Sequence, residues 1–510
     1  MTDEYHASAK AMARILLEAV QRGEREALSR LERFSLSENG FRRSDAENVI
    51  AREEGFADWT DFASACADGT ATWRKAVRRL RTALFYGQQW KVRQLISRQP
   101  GLAHADFGIE VALHDSVAVR ERLSDDPDLA VRKVENRAPI LHLCFSRHRP
   151  DPESNHTEVI AEALFRNGAD INDGMPAEPG SEHLLSALYG AIGHAGNLPL
   201  AEWLLRHGAN PNDNESLYHA TELGHAEGVR LLLNFEARID GTNAINRALD
   251  FNSHEMVQLL LAAGGDPNEK LFQHPGGQPP LVIPALHQAA RRHCDRKMAG
   301  ILLHAGADPT RTHCGHTAYA LARIYGNSEF ADALAEHGGF SELSPEEALL
   351  AAVANGPVPA GAEIDTATLS DETRFLICNL VSMPERLPHL QRLAALGSDP
   401  NQADAMGTTP LHLAGWEGIA DTLLWLLDLG PDLDHINDYG GNLLSTIIHG
   451  SENCPARGTR QHIRCAEIAL AAGARLSTRA IELAGDEQMS EFLSDWSLNH
   501  PDQVIPGGIG

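Results

Sequence analysis

The sequence has no apolar run close to the roughly 18 residues that a membrane-spanning helix needs. Its start, Met-Thr-Asp-Glu-Tyr-His, lacks the basic and then apolar order of a secretory signal peptide. Its seven cysteines are widely scattered and include no Cys-x-x-Cys pair, a pattern typical of reduced thiols. These absences predict a cytoplasmic protein that has no contact with a membrane.

Basic residues are also few, since 44 lysines and arginines against 70 acidic residues give a formal net charge of -26. Such a surface repels nucleic-acid phosphates, so we expect no direct binding of nucleic acid. Attraction between opposite charges favours a protein partner with a basic or otherwise complementary surface. Residues 74–81 form a local run of cations, which is either a solvated helix face paired with nearby acids or an anion-binding patch.

The common catalytic motifs are missing, because the chain has no phosphate-binding Gly-x-x-x-x-Gly-Lys loop, no His-Glu-x-x-His and no Gly-x-Ser-x-Gly. We therefore predict that the protein is not an enzyme, with no catalytic residues and no cofactor. The best local group of metal-ligand side chains is His304, His313, Cys314 and His316. Two loop ligands rarely hold zinc alone, so no metal site is predicted.

The chain does contain a recurring phrase of two leucine-like residues, two variable residues and then Gly-Ala-Asp or Gly-Ala-Asn. It is clearest at residues 204–212, and variants occupy residues 164–172, 260–268, 302–310, 393–401, 426–434 and 469–477. Each phrase predicts the end of a helix, because the glycine takes the left-handed C-cap and the following Asp-Pro-Asn turns the chain away. The recurrence indicates repeat units with insertions.

A shorter helix is predicted before each phrase. At residues 407–414 (Gly-Thr-Thr-Pro-Leu-His-Leu-Ala), Thr409 can cap this helix and Pro410 occupies its first turn. At residues 216–233, two helices are joined through a Gly224-His225 turn. These phrases resemble the ankyrin repeat, and the resemblance covers residues 138 to 492. It implies an all-α repeat solenoid, a stack of antiparallel helix pairs with short loops or β-hairpin fingers and a concave binding surface.

The strength of the repeat signal divides the chain into six predicted regions. They are a helical N-terminal leader at 1–70, degenerate repeats or a cap at 71–137, a repeat array at 138–340, an atypical break or worn repeat at 341–383, a second repeat segment at 384–494 and a flexible tail at 495–510. The leader resembles one found in bacterial ankyrin-repeat proteins, and Ser44 with Glu47 predicts a capping box within it. Whether the break separates two arrays is left open.

Loop lengths give the first candidates for partner contact. The connections at residues 212–216 and 240–243 are too short for fingers, whereas residues 269–283 form a long connection that is rich in proline and glycine. Phe272 and His274 lie on this connection and are therefore predicted to contact a partner. The alternative is a tolerated surface insertion.

Aromatic residues give further candidates. Trp416 is expected at the end of a first helix and Tyr439 on a finger, and exposed aromatics are typical binding hot spots. Packing against a neighbouring repeat is the alternative for both. His313, at an expected finger tip, is also a candidate for partner binding. Trp203 and Trp425 lie within leucine-rich second helices and are predicted to pack in the core.

The resemblance also implies a structural role for several histidines. His142, His219, His287 and His412 occupy the Thr-Pro-Leu-His position, where the family uses the imidazole to hydrogen-bond loop backbone. Asn246 replaces this histidine in one repeat, which predicts a weaker tie there.

These observations together predict a non-enzymatic scaffold or regulator that binds a cytoplasmic protein through its concave or finger face. The alternatives are an immunity or antitoxin-like inhibitor that masks a basic target, a nucleic-acid mimic, or an effector delivered to another cell. Neither the identity of the partner nor the oligomeric state follows from the sequence.

Overall fold

The computed structural model of the chain describes residues 2–149, 156–178, 180–269 and 283–506. These residues are mostly helical and divide into two compact units. The first unit contains Met1–Leu80 and Ala360–Gly510, and the second contains Arg81–Pro359. The first unit therefore joins residues from the beginning of the sequence to residues from its end.

In the second unit, a shorter first helix usually alternates with a longer second helix. The helices that lie wholly within this unit are α6 (Gln89–Arg98), α7 (Phe107–Ala112), α8 (Ser116–Asp125), α9 (Pro139–Cys144), α10 (His156–Arg166), α11 (Ala187–Tyr189), α12 (Leu198–Arg206), α13 (Ser216–Ala220), α14 (Glu227–Asn234), α15 (Ala244–Asp250), α16 (His254–Ala262), α17 (Ala285–Arg291), α18 (Arg296–His304), α19 (Ala318–Tyr325), α20 (Ser328–Glu336) and α21 (Pro345–Asn355). First helices contact the next first helix, as α15 contacts α17, and second helices contact the next second helix, as α16 contacts α18.

The second helices end as the repeated phrase predicts. In α12, Leu204 and Leu205 are buried, and Gly208 follows with a left-handed φ of 98°. A fully buried leucine stabilises the fold by about 2 kcal/mol, so each such pair contributes to the stability of its repeat. The positive φ confirms the predicted glycine C-cap.

Asparagines that follow these glycines tie one repeat to the next. The Asn172 amide donates to the Gly208 carbonyl at 3.2 Å, and its oxygen accepts from the Asn210 backbone N–H at 2.8 Å. Asn268 makes the corresponding pair of bonds to the loop of the following repeat. Since two backbone groups are satisfied by each side chain, these asparagines do more than turn the chain.

Among the described residues of the second unit there are two β-hairpins. Strands β1 (Gly174–Pro176) and β2 (Leu184–Ser186) pair in antiparallel, as do β3 (Thr312–His313) and β4 (His316–Thr317). Cys314 and Gly315 turn the second hairpin with φ values of 50° and 86°, the left-handed pair that a two-residue turn requires. The connections predicted to have lost their fingers are short turns that lead directly into α13 and α15.

The N-terminal part of the first unit is a helical cluster made of α1 (Thr2–Gln21), α2 (Arg25–Glu32), α3 (Arg43–Glu53) and α4 (Trp59–Ala67), followed by α5 (Ala71–Tyr86), which runs across the boundary between the units. Helices α1, α3 and α4 contact one another around the fully buried Phe62. The predicted capping box of Ser44 and Glu47 is wrong. Helix α3 starts earlier, and the Asp45 carboxylate accepts from the Arg42 backbone N–H at 2.8 Å.

The C-terminal part of the first unit contains further helices. They are α22 (Asp371–Arg374), α23 (Leu376–Leu380), α24 (Leu387–Leu396), α25 (Pro410–Glu417), α26 (Ala420–Asp428), α27 (Leu443–Asn453), α28 (His462–Ala471), α29 (Thr478–Leu483) and α30 (Glu487–Asn499). The Thr409 hydroxyl accepts from the backbone N–H of His412 and Pro410 begins α25, which confirms the predicted helix start. The segment predicted as a flexible tail contains the end of α30 and β6 (Val504–Ile505), which pairs in parallel with β5 (Leu476–Ser477).

Ion pairs connect the N-terminal and C-terminal parts of the first unit. The Arg30 guanidinium donates two bonds to the Glu53 carboxylate, at 2.9 and 2.8 Å, and Arg479 of α29 lies 4.0 Å from the same carboxylate. Lys75 bridges Glu54 at 2.9 Å and Glu482 of α29 at 3.0 Å. These contacts join the N-terminal cluster to α29.

The cationic run at 74–81 is paired with acids. Besides the Lys75 bridge, Arg74 binds Asp61 at 2.7 and 3.0 Å, Arg79 binds Glu482, and Arg81 binds Asp106. This arrangement favours the paired helix face over an anion-binding patch.

None of the helices within the described ranges combines the length and the apolarity needed to cross a membrane.

Candidate functional site

A continuous row of charged side chains runs along the first helices of the second unit. His183, beside strand β2, donates from Nε2 to the Glu215 carboxylate at 2.6 Å. His219 of α13 contacts the same carboxylate at 3.2 Å and, through Nδ1, the Glu222 carboxylate at 2.8 Å. One protonated imidazole is therefore held between two glutamates.

The row continues across the next two repeats. The Arg247 guanidinium of α15 binds Glu222 at 2.6 and 2.8 Å and Asp250 at 2.8 Å. Asp250 accepts in turn from Arg292 at 2.9 Å and from the Gln288 amide at 2.5 Å. We refer to His183, Glu215, His219, Glu222, Arg247, Asp250 and Arg292 as the inner row.

Helical spacing and the repeat architecture together produce this arrangement. Glu215 and His219 are four residues apart, and Arg247 and Asp250 are three apart, so each pair lies on one helix face. Because successive first helices contact each other, the same face recurs in the next repeat and the pairs join end to end.

The electrostatics of the row fix the charge of its central histidine. Burial alone would lower the pKa of His219, but hydrogen bonds and charges from Glu215 and Glu222 outweigh burial and raise the pKa to about 9. Burial alone would raise the pKa of both glutamates, but the same contacts with His219 lower it. His219 is therefore a cation at neutral pH.

The charges in the row alternate and compensate one another. Its carboxylates, Glu215, Glu222 and Asp250, are matched by His219, Arg247 and Arg292. A compensated row holds its side chains in fixed positions but attracts a basic partner only weakly. The predicted preference for a basic partner is not supported by this part of the molecule.

Aromatic rings border the inner row. The Arg247 guanidinium lies 5.6 Å from the Tyr218 ring centre and 5.0 Å from that of Phe251, within the range of cation–π contact. Tyr189 lies 5.0 Å from His219. Tyr218 is half-buried and Phe251 is exposed. Arginine and aromatic residues are enriched at the hot spots of protein interfaces, and here they lie next to one another.

The second helices of the same unit form an open groove of about 750 Å³. Its apolar lining includes Leu123, Val159 and Trp203, and the Trp203 ring stacks on His207 at 3.9 Å. The prediction that Trp203 and Trp425 pack in the core is wrong, because both are only half-buried. In α12 the buried positions are Leu200, Ala201, Leu204 and Leu205, and this spacing places residue 203 beside the buried stripe.

The residues predicted to bind a partner do not form one cluster. Phe272 and His274 lie outside the described residues. Trp416 is half-buried in α25, and its ring centre lies 5.2 Å from that of His449. Its backbone carbonyl accepts a hydrogen bond from Nε2 of His462 in α28. Tyr439 is 72% exposed on the loop before α27. Trp416 and Tyr439 belong to the first unit.

His313 belongs to the second unit, where it lies on β3 with its ring 5.9 Å from that of His287. Within the described ranges, no group of three or more histidine, cysteine or acidic side chains is arranged so that it could hold a metal ion. His316, from the same hairpin, donates from Nδ1 to the Glu347 carboxylate at 2.6 Å.

Three of the four repeat histidines are neutral structural groups. His142 donates to the Val134 carbonyl and His287 to the His316 carbonyl, each at 3.1 Å, which confirms the implied tie to loop backbone. His412 instead lies 2.7 Å from the hydroxyl of its own cap residue, Thr409. Burial lowers the pKa of His142, His287 and His412 to about 4.

Two repeats differ from that pattern. His219 binds carboxylates rather than loop backbone and is charged. The expected weakening at Asn246 is wrong, because its amide donates to the Ile283 carbonyl at 2.8 Å and keeps the tie to the loop.

Comparison with known proteins identifies ankyrin repeats at residues 188–270, where a family model described as three copies of the ankyrin repeat matches. Two curated relatives, protein phosphatase 1 regulatory subunit 27 of Homo sapiens and of Mus musculus, are each 43% identical over 56 residues, which is 11% of this chain and 36% of the relative. The chain thus spans about a third of the length of these relatives. The crystal structure of the human ASB11 ankyrin repeat domain matches 49% of this chain and 96% of its own, at 18% identity and a TM-score of 0.24.

Proposed function

We propose that this protein is a non-enzymatic interaction module or regulator that binds a protein partner through the inner row and its bordering aromatic rings. One observation carries the proposal. The central part of the inner row, from Glu215 to Asp250, lies within the segment that matches ankyrin repeats, and these repeats are protein-interaction modules.

The geometry suits recognition better than catalysis. Each charged group of the row already has a partner, so a bound protein meets fixed side chains and little rotamer freedom is lost on binding. Tyr218 and Phe251 supply apolar area beside the charges. The name of the curated relatives, a regulatory subunit, supports a regulatory role, although the match is limited to a short stretch.

The test uses the full-length protein as bait in a lysate of the source cell, with captured proteins identified by mass spectrometry and then purified for direct titration. Tyr218→Ala and Phe251→Ala are expected to weaken binding by about tenfold or more, as the loss of hot-spot aromatics does. Trp203→Ala is the matched control, because it removes an aromatic ring from the second helices of the same unit.

Loss of the partner with Trp203→Ala, and not with the inner-row variants, would contradict the proposal and move the binding surface to the groove. A reaction catalysed by the purified chain would contradict the non-enzymatic part.

A further inference from the structure

The loops at residues 404–408 and 437–441 form an ordered edge of the first unit. The Asp438 backbone N–H donates to the Met406 carbonyl at 3.0 Å, which joins the two loops. A backbone hydrogen bond also joins the two ends of each loop. The Asp404 N–H donates to the Thr408 carbonyl and the Asn437 N–H donates to the Gly441 carbonyl, both at 3.0 Å. The tips of these loops are therefore held in place by backbone bonds.

Two apolar side chains are exposed on this edge. Tyr439 is 72% exposed and Met406 is 41% exposed. Asp404 and Asp438 accompany them, and we call these four residues the fingertip patch. An exposed tyrosine and an exposed methionine on two loops joined by a backbone bond offer apolar area that a partner side chain can cover.

The two carboxylates act on the same ring. Partial desolvation raises the pKa of the Tyr439 hydroxyl, and the negative charges of Asp404 and Asp438 raise it further. Both carboxylates are therefore within electrostatic range of Tyr439. One oxygen of Asp404 accepts from the backbone N–H groups of Met406 and Thr408 at 2.9 Å, which fixes that carboxylate beside the patch.

This edge and the residues just before it, 432–434, already receive arginines from within the chain. Arg33, just after α2, donates to the carbonyl of Gly440, the residue next to Tyr439, at 3.2 Å. Arg25 of α2 pairs with Asp432, and Arg475 lies 3.6 Å from Asp434. Within the described part of the chain, no cation forms an ion pair with Asp404 or Asp438. The fingertip patch thus continues an interface that binds guanidinium groups.

We propose that the fingertip patch is a docking site for an arginine-bearing segment of a protein partner. A guanidinium stacks on the face of Tyr439 beside Met406 and pairs with Asp404 and Asp438, the geometry in which arginine exceeds lysine. This site lies in the first unit and does not depend on the inner row, so it goes beyond the function proposed above and is tested by different variants.

The probe is the synthetic peptide acetyl-Gly-Arg-Gly-Arg-Gly-amide, titrated into the full-length protein by calorimetry at low and at high salt. We expect Tyr439→Ala, and separately Asp404→Asn with Asp438→Asn, to weaken binding by about fivefold or more. Tyr439→Phe keeps the ring and should bind as the unchanged protein does. The lysine version of the peptide should bind less tightly, and the glutamate version should not bind.

Matched controls separate the patch from the attraction that a net charge of -26 exerts on any cation. Asp240→Asn with Asp308→Asn removes the same charge from exposed acids of the second unit, and Phe340→Ala removes a 63% exposed ring there. Both controls should change affinity by less than about twofold. Circular dichroism melting curves establish that each variant is folded.

Three results would overturn the proposal. The unchanged protein does not bind the arginine peptide, the fingertip variants bind it as tightly as the unchanged protein, or the control variants lose as much affinity as the fingertip variants. Tyr218→Ala and Phe251→Ala should leave peptide binding unchanged, so a failure of the inner-row proposal is distinguishable from a failure here.

Discussion

The two units use ion pairs in different ways. In the second unit, the inner row links neighbouring repeats between residues 183 and 292, as Glu222 links to Arg247 over 25 residues of sequence. In the first unit, the pair of Arg25 and Asp432 joins residues 407 positions apart, and Glu53 binds Arg30 and lies 4.0 Å from Arg479, which comes from the other end of the sequence.

This difference indicates how strongly the folding of each unit depends on a single ion pair. Stability in a repeat array is approximately a sum over neighbours, so the second unit can lose one link and keep the others. In the first unit, the N-terminal cluster and α29 share a group of charges that includes Glu53, Arg479, Lys75 and Glu482. Breaking that group should therefore disturb the first unit as a whole, and the predictions that follow compare the two cases.

The largest effect is expected from Glu53→Ala. The side chains of Arg30 and Glu53 are 7% and 9% exposed, so removing the carboxylate leaves a buried guanidinium without its main partner. Loss of one partner from a buried pair costs about 3–5 kcal/mol. Urea unfolding of the full-length protein should show the first unit unfolding earlier while the second unit keeps its midpoint.

The control for this variant is Arg166→Ala, which removes an exposed pair with Glu162 from the second unit, where the arginine side chain is 75% exposed. Its effect should stay within about 0.5 kcal/mol. If Glu53→Ala shifted both transitions equally, the two units would not differ as described.

The next effect is the pH dependence of the second unit. The pKa of His219 is about 9 in the folded protein, above the ordinary value near 6.5, so folding takes up a proton between these pH values. Its contribution is complete below about pH 6.5 and is lost as the pH rises through 9, with a magnitude of up to about 3 kcal/mol. Thermal unfolding at pH 6.5, 8 and 9.5 should show this loss.

His219→Gln should remove most of the decrease in the stability of the second unit above pH 6.5, which would identify His219 as the group responsible. His142 and His287 behave in the opposite direction, because burial lowers their pKa to about 4. The contribution of His142 and His287 to the free energy of unfolding is fully present above about pH 6.5 and decreases as the pH falls toward 4. A stability that did not change between pH 6.5 and 9.5 would contradict a charged His219.

A smaller effect is expected from Asn268→Ala. This change removes the bond to the Gly306 carbonyl and the bond from the Asp308 N–H, both 2.8 Å long. Because the site is exposed and water can replace both partners, the cost should be about 1 kcal/mol. Hydrogen exchange should increase at the backbone N–H of Asp308 and not in the N-terminal cluster, which would show that the damage stays between neighbouring repeats.

Short-range features of the fold were predictable from the sequence, because their causes are local. The glycine after each leucine pair, such as Gly208, takes the positive φ that ends a helix, and Thr409 caps α25. Residue type and spacing determine these features within a few positions. The segment identified by the family model also falls inside the range of the resemblance.

Long-range features were not predictable, because their partners are far apart and follow no motif. Nothing near Glu53 in the sequence points to Arg479, and nothing near Gly440 points to Arg33. The inner row was partly predictable, since Glu215 and His219 have helical spacing. Its continuation into the next repeats depends on the contact between first helices, which the sequence does not show. Trp203 was misplaced because the leucines around it were taken to bury the whole helix.

The smallest effect is expected at the start of α3, where the pattern of Ser44 and Glu47 predicts the wrong first residue of the helix. Ser44 lies inside the helix, and Asp45 caps the Arg42 backbone N–H. Ser44→Ala should therefore change the free energy of unfolding of the first unit by less than about 0.5 kcal/mol, whereas Asp45→Ala should cost about 1 kcal/mol. Both positions are on the same turn of α3, so they differ mainly in this one bond. A larger loss from Ser44→Ala than from Asp45→Ala, measured by urea unfolding, would restore the sequence motif as the true helix start.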